Sequence, residues 1–303
     1  MAPSRHVRPA VDEETTHRDH RYCPPHMAPR KKTGVARSQA TERGPDHVTK
    51  FYNSVEKAEA AATKYGLMAE IDSDHFRSPV VRSVQNDPPA IVFELLDAEH
   101  TIDRALIALL RAGDRVTALE LVATAGRALA AIHDGLKLPT QSKPSRAPAL
   151  RAQLPSDGLQ QFRRVPPVTL HGDFGVSNVA VDSRGGIVIY DPEPSRYTAN
   201  AIDAVDTPEM DLATFVTCLA GRTSGIRNVI ALRRRYPELA ACFLSAYADA
   251  RDVDAREAYD DERLMLLITA QGSAYRKVAS ARSGRAVEMT ARWAARRLPR
   301  PPR

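Results

Sequence analysis

The run His171-Gly172-Asp173-Phe174-Gly175-Val176-Ser177-Asn178 holds a carboxylate at Asp173 and a carboxamide five residues later. A second carboxylate opens Asp191-Pro192-Glu193-Pro194, thirteen residues beyond Asn178. Between them, two short apolar runs at 179–181 and 187–190 flank Asp182-Ser183-Arg184-Gly185-Gly186. Apolar runs on either side of a glycine-bearing turn predict a β-hairpin. Another short strand is predicted at 168–170, directly before His171. The pattern therefore puts Asp173 and Asn178 on a loop that leaves one strand, and Asp191 at the far end of the next hairpin.

This is the spacing His-x-Asp-x-x-x-x-Asn, with a metal-binding Asp after the following hairpin, that marks a kinase catalytic loop. The residue types fit that chemistry. Phosphoryl transfer to an alcohol needs a group that orients the hydroxyl and accepts its proton, which Asp173 can do. It also needs hard oxygen ligands for Mg²⁺, which the Asp191 carboxylate and the Asn178 carboxamide can supply. His171 reads as a brace for the loop.

The segment from His171 to Asp191, with Asp211-Leu212-Ala213 downstream, resembles the aminoglycoside phosphotransferase/choline kinase family. That is the small-molecule branch of the protein-kinase-like fold. Gly172, where protein kinases usually carry Arg, is similar to this branch, as is the lack of an Asp-Phe-Gly triplet after Tyr190. The resemblance covers roughly residues 47–275. It implies an α+β, two-lobed fold, with a small β-rich N-lobe and a mainly helical C-lobe. It implies Asp173 as catalytic base, Asn178 and Asp191 as metal ligands, and Asp211 as a buried residue that supports the loop with His171. It makes Lys50 the strand lysine that contacts ATP phosphates. Glu59 is its expected helix partner, with Glu56 as the alternative. Phe93-Glu94-Leu95-Leu96 resembles the hinge that holds adenine, so Glu94 and Leu96 are nucleotide contacts. His133 is similar to the His that ends the helix beneath the catalytic loop. The implied co-substrate is ATP, with GTP open, the implied ion is Mg²⁺, and the implied partner is a small hydroxylated molecule.

Working outward, a strand is predicted at 48–52, then a helix at 54–65 capped by Asn53 with Glu56 as its capping-box partner and ended by Gly66. Strands follow at 80–84 and 90–95, joined by Gln85-Asn86-Asp87-Pro88. Helical patterning resumes at Ile102, with a long apolar helix at 118–133. Residues 138–167 are Pro-rich and read as an insertion, and everything from Asp211 onward reads as helix.

Residues 1–46 contain six Pro and no Leu, Ile or Phe. Such a segment buries too little apolar area to offset its ordering entropy and is expected to be a disordered tail. Within it, His17, His20, Cys23 and His26 recur every three residues, a spacing read as chance in a polar tail rather than a zinc site. Met27 offers a second plausible start. The predicted boundaries are 47–96 for the N-lobe, 97–298 for the C-lobe and 299–303 for a basic Pro/Arg tail. The N-lobe is short, because the residues between Met27 and His47 are polar and hold no Gly-x-Gly-x-x-Gly.

The formal net charge is +6, but it is concentrated at the ends. Residues 282–303 net +6 and residues 1–50 net +4, leaving −4 on the other 231. A mildly acidic body argues against a nucleic-acid-coating protein. No apolar run reaches the ~18–20 residues of a membrane span, and three scattered cysteines build no disulfide framework. A reducing cytoplasm is the expected setting. The insertion is basic, with Lys137, Lys143, Arg146, Arg151, Arg163 and Arg164, whereas 249–262 is acidic. The two point to different acceptors, so the substrate stays open. Two other readings remain: a kinase-like binding or regulatory module without catalysis, and a nucleic-acid binder acting through its basic tails.

Overall fold

The computed structural model describes residues 41–138, 148–155, 161–162, 165–192, 205–221, 226–253, 255–279 and 281–299. The His/Cys run at 17–26, the Met27 start and most of the Pro-rich insertion lie outside them. The N-lobe sheet has the order β1-β2-β4-β3, all antiparallel, from β1 (Thr41–Arg43), β2 (His47–Phe51), β3 (Val81–Asn86) and β4 (Pro89–Glu94). Strand β1 falls inside the segment that composition assigns to the tail. It is polar and exposed throughout, and it forms because its backbone pairs with β2, from Thr41 opposite Lys50 to Arg43 opposite Val48. Backbone pairing of that kind leaves no apolar signature in a sequence.

Helix α1 (Val55–Ala69) covers the sheet. Its N-cap is Ser54, whose hydroxyl accepts from the Lys57 amide, and not Asn53. It also runs through Gly66, where the sequence predicted its end. A mid-helix glycine costs about 1 kcal/mol against alanine. Full burial of Met68 two residues later is worth about 1.5–3 kcal/mol and outweighs it. Tyr52, Ala58, Ala61, Tyr65, Ile91 and Phe93 form the core between α1 and the sheet.

After Glu94 the chain enters the helical lobe. Strand β5 (Ala98–Thr101) pairs with β7 (Val179–Asp182), which pairs in turn with β8 (Ile187–Ile189). The sequence reading missed β5. Helices α2 (Ile102–Ala112) and α3 (Arg115–Gly135) follow. By length and hydropathy α3 would pass as a membrane span. Eleven of its residues, from Ala118 to His133, are instead buried against other helices. After the short α4 (Pro148–Arg151), strands β6 (Val168–Thr169) and β9 (Val205–Asp206) pair antiparallel. Then come α5 (Glu209–Leu219), α6 (Ile226–Ala250), α7 (Ala255–Ala258), α8 (Asp261–Val278) and α9 (Ala281–Arg297). All eleven residues of α5 are buried, the pattern of a helix at the centre of a core. Helices α3 and α6 approach so closely that a Cβ on Gly126 would stand 2.5 Å from the Phe243 carbonyl oxygen. On α9, Ala291 and Ala294 face inward, as does Leu298 just beyond it, while Arg285, Arg292, Arg296 and Arg297 are exposed, so these four arginines lie on a solvated helix face.

Candidate active site

The His171 loop is fixed from three sides. The β6–β9 pairing brings its start beside the first turn of α5. There Asp211, fully buried, accepts the His171 amide at 2.7 Å and the Gly172 amide at 3.0 Å. His133 on α3 donates Nε2–H to the same carboxylate at 3.1 Å. Burial alone would raise the Asp211 carboxyl, but the hydrogen bonds from His133 and Gly172 hold it below its ordinary value. A negative charge in the first turn of α5 also suits the helix dipole. Gly172 sits at φ 94°, a conformation a side chain would strain. Phe174 pins the loop from below: it is fully buried, 5.4 Å between centroids from Phe215, which stacks on Phe243 at 4.2 Å.

His171 links the two halves of the motif. Its Nδ1 accepts from the Asp173 amide at 3.3 Å, so Nε2 carries the proton and donates to the Tyr190 carbonyl at 2.9 Å. Burial pushes its pKa down to about 4 against the opposing pull of Asp211, so the ring is neutral near pH 7. Asp173 and Asn178 also meet: the Asn178 amide donates to the Asp173 carbonyl at 2.9 Å and to its Oδ2 at 3.1 Å. That orients the carboxylate and leaves the Asn178 Oδ1 turned elsewhere.

Asp191 ends the hairpin at φ 52°, an uncommon backbone state for a residue other than glycine. Lys50 on β2 pairs with its Oδ1 at 2.7 Å. The lysine side chain is 9% exposed and the aspartate 40%, so the pair sits at the wall of an open space. The Tyr65 hydroxyl donates to the same Oδ1 at 3.0 Å and accepts from the Asp191 amide at 2.7 Å. Lys50, Glu94, Leu96, Asn178 and Asp191 together line a cavity of about 330 Å³ between the N-lobe sheet and the β7–β8 hairpin. Among the described residues, no backbone carbonyl takes the Leu96 amide. Asp173 adjoins this cavity through its bond to Asn178.

Glu59 is not brought to this site. It is exposed on α1 and makes no ion pair with a described residue, and Glu56 is exposed too. The inward stripe of α1 is Ala58, Ala61, Lys64, Tyr65 and Met68. Glu59 lies one residue, about 100° of helix rotation, from Ala58 and so off that stripe. Sequence reading missed Tyr65 and Lys64, whose Nζ donates to the His171 carbonyl at 3.2 Å. Neither residue type announces such a role on an Ala-rich helix. A larger cavity of about 770 Å³ lies among residues 72–75, α3 and α6, and none of the predicted site residues lines it. The smaller cleft is the better candidate because the lysine, asparagine and aspartate of the motif converge there. Of the acidic segment, Asp249 lines the larger cavity, and Asp260 caps α8 by accepting the Arg263 amide.

No cluster of three or more His, Cys, Asp or Glu among the described residues could hold a metal by itself. Mg²⁺ seldom needs one, since it binds through one or two carboxylates plus substrate phosphates. Asp191 and Asn178, two residues with hard oxygen donors that line the same cavity, fit that ion by donor type.

Two lobes, a loop held by a buried Asp and a lysine strand facing it across a cleft define the α+β protein-kinase-like fold. Solved structures that resemble the chain include glucosamine kinase, a choline/ethanolamine kinase family protein and aminoglycoside phosphotransferases. One glucosamine kinase structure aligns at TM-score 0.56 and 18% identity, covering 87% of this chain and 77% of that one. Another, described as in complex with glucosamine, ADP and inorganic phosphate, aligns at TM-score 0.57 and 18% identity, covering 84% and 78%. No protein-family model and no curated protein sequence matches the chain.

Proposed function

We propose that the chain is an ATP- and Mg²⁺-dependent phosphotransferase that moves the γ-phosphate onto a hydroxyl of a small molecule, with Asp173 as catalytic base. One observation carries the reading: Lys50, the Glu94–Leu96 segment, Asn178 and Asp191 converge on a single cleft from positions far apart in the chain. Glu94 and the Leu96 amide, which no described backbone carbonyl takes, would hold the base of the nucleotide. Lys50 would turn from Asp191 to the phosphates. Asp191 and the Asn178 carboxamide oxygen would hold Mg²⁺, whose chemistry when bound is to offset negative charge on those phosphates. Asp173, oriented by Asn178, would take the proton of the acceptor hydroxyl. Neutral His171 keeps its lone pair on the Asp173 amide and its N–H on Tyr190, so it holds the two carboxylates in place without competing for that proton. ATP use suits the cytoplasmic setting expected from the sequence.

The acceptor is a small hydroxylated compound. A glucosamine kinase of similar fold is described with glucosamine and ADP, which makes amino sugars the first acceptors to test. Mg-ATP consumption measured across amino sugars and other hydroxylated metabolites tests the proposal, and loss of that consumption in Asp173→Asn tests the base.

One observation favours a second reading, a kinase-like binding module without catalysis. Lys50 is held by Asp191, and α1 presents no carboxylate to it. That reading predicts nucleotide binding that Mg²⁺ does not strengthen, or none.

A further inference from the structure

We propose that Tyr65 is a positioning residue for Asp191, and that it couples α1 to the site where a helix carboxylate was expected to do so by pairing with Lys50. The inference rests on the phosphotransferase reading of the cleft. Tyr65 lies on the inward stripe of α1, 2% exposed, with its ring 4.5 Å between centroids from Phe93. Its hydroxyl grips Asp191 at two points, accepting from the backbone amide and donating to Oδ1. The first bond holds Asp191 at φ 52°, a left-handed conformation uncommon outside glycine. The second, with Lys50 on the same oxygen, engages Oδ1 fully. Among the described residues Oδ2 has no protein partner. Tyr65 therefore selects which carboxylate oxygen is offered to a cation.

A tyrosine suits this position better than a glutamate would. It stabilises the Asp191 charge with a neutral donor and adds no second anion to compete for Lys50. The neighbouring Lys64 donates to the His171 carbonyl, so consecutive side chains of one helix hold both the catalytic loop and the metal carboxylate. In this chain α1 is coupled to the site through hydrogen bonds rather than an ion pair.

The test is calorimetric titration of the full chain with ADP, once with Mg²⁺ and once with EDTA. The variants are Tyr65→Phe, Asp191→Asn and, as a packing control on the same helix, Met68→Leu. The wild type should bind ADP more tightly with Mg²⁺. Tyr65→Phe, which keeps the ring, should cut that Mg²⁺ enhancement about 10–100-fold, the usual cost of removing an outer-shell partner, with affinity in EDTA near wild type. Asp191→Asn should abolish the enhancement, and Met68→Leu should keep it. A wild-type enhancement in Tyr65→Phe overturns the inference, as does an equal loss in Met68→Leu. If the wild type shows no enhancement and Asp191→Asn matches it, the phosphotransferase reading itself fails and takes this inference with it.

Discussion

Acidification should weaken the fold through His171, by an amount its burial sets. In the folded chain the ring sits below its ordinary pKa of 6.5, at about 4, because burial disfavours the imidazolium. The unfolded chain takes up a proton as the pH falls through about 6.5, while the folded chain does so only near 4. Between those values the unfolded state holds more protons, so stability rises with pH and is lost on acidification. At 1.36 kcal/mol for each unit of pKa, the loss across the window is about 3 kcal/mol. With a urea m-value of about 3 kcal/mol/M for a chain of this size, the midpoint should move by about 1 M. Other buried groups titrate too, notably Asp211 and the raised carboxyl of Glu209, so the comparison is with His171→Gln. Glutamine can still donate to the Tyr190 carbonyl but carries no proton-linked charge. The wild type should lose about 3 kcal/mol more than the variant between pH 6.5 and 4. Parallel curves for the two proteins across that window would refute the idea that a buried neutral imidazole joins the two halves of the motif.

Other outcomes follow from the same geometry. Asp173→Asn should lower turnover by about 10²–10⁴-fold, the usual contribution of a positioned base, while leaving ADP affinity near wild type in a calorimetric titration. Lys50→Met should weaken Mg-ATP binding, whereas Glu59→Ala should leave it unchanged, and equal effects from the two would restore Glu59 to the site. Gly126→Ala should cost about 1–3 kcal/mol in denaturant unfolding, because the new methyl meets the α6 backbone. Phe174→Ala should cost about 3–5 kcal/mol and loosen the loop, read as faster hydrogen exchange at the His171 and Gly172 amides.

The half of the candidate site around His171 was legible because its residues are local in sequence. His171, Asp173 and Asn178 share one loop, and Asp191 follows after one hairpin with a recognisable turn. Spacing and residue type were enough to expect them together, and hydrogen bonds through His171 and Asn178 link their segments. Asp211 and His133 were legible by resemblance: the structure bonds Asp211 to the loop amides of His171 and Gly172, and His133 to Asp211. The N-lobe was harder, because what matters there is which face of a helix turns inward. Glu59 and Tyr65 are six residues apart on one Ala-rich helix whose alanines blur the apolar stripe. Charge type pointed to Glu59, and packing chose Tyr65. Strand β1 was invisible for a different reason: Thr41–Arg43 has no buried side chain and exists through its backbone bonds to β2.

Phosphoryl transfer is proposed at the cleft lined by Lys50 and Asp191, with Asp173 beside it on Asn178. It is tested most directly by phosphorus NMR of wild type and Asp173→Asn incubated with ATP, Mg²⁺ and a set of hydroxylated acceptors that includes glucosamine. A phosphomonoester signal and ADP should appear together with the wild type and fail to appear with the variant. Product formed equally fast by Asp173→Asn, or no product from the wild type with any acceptor, would contradict it.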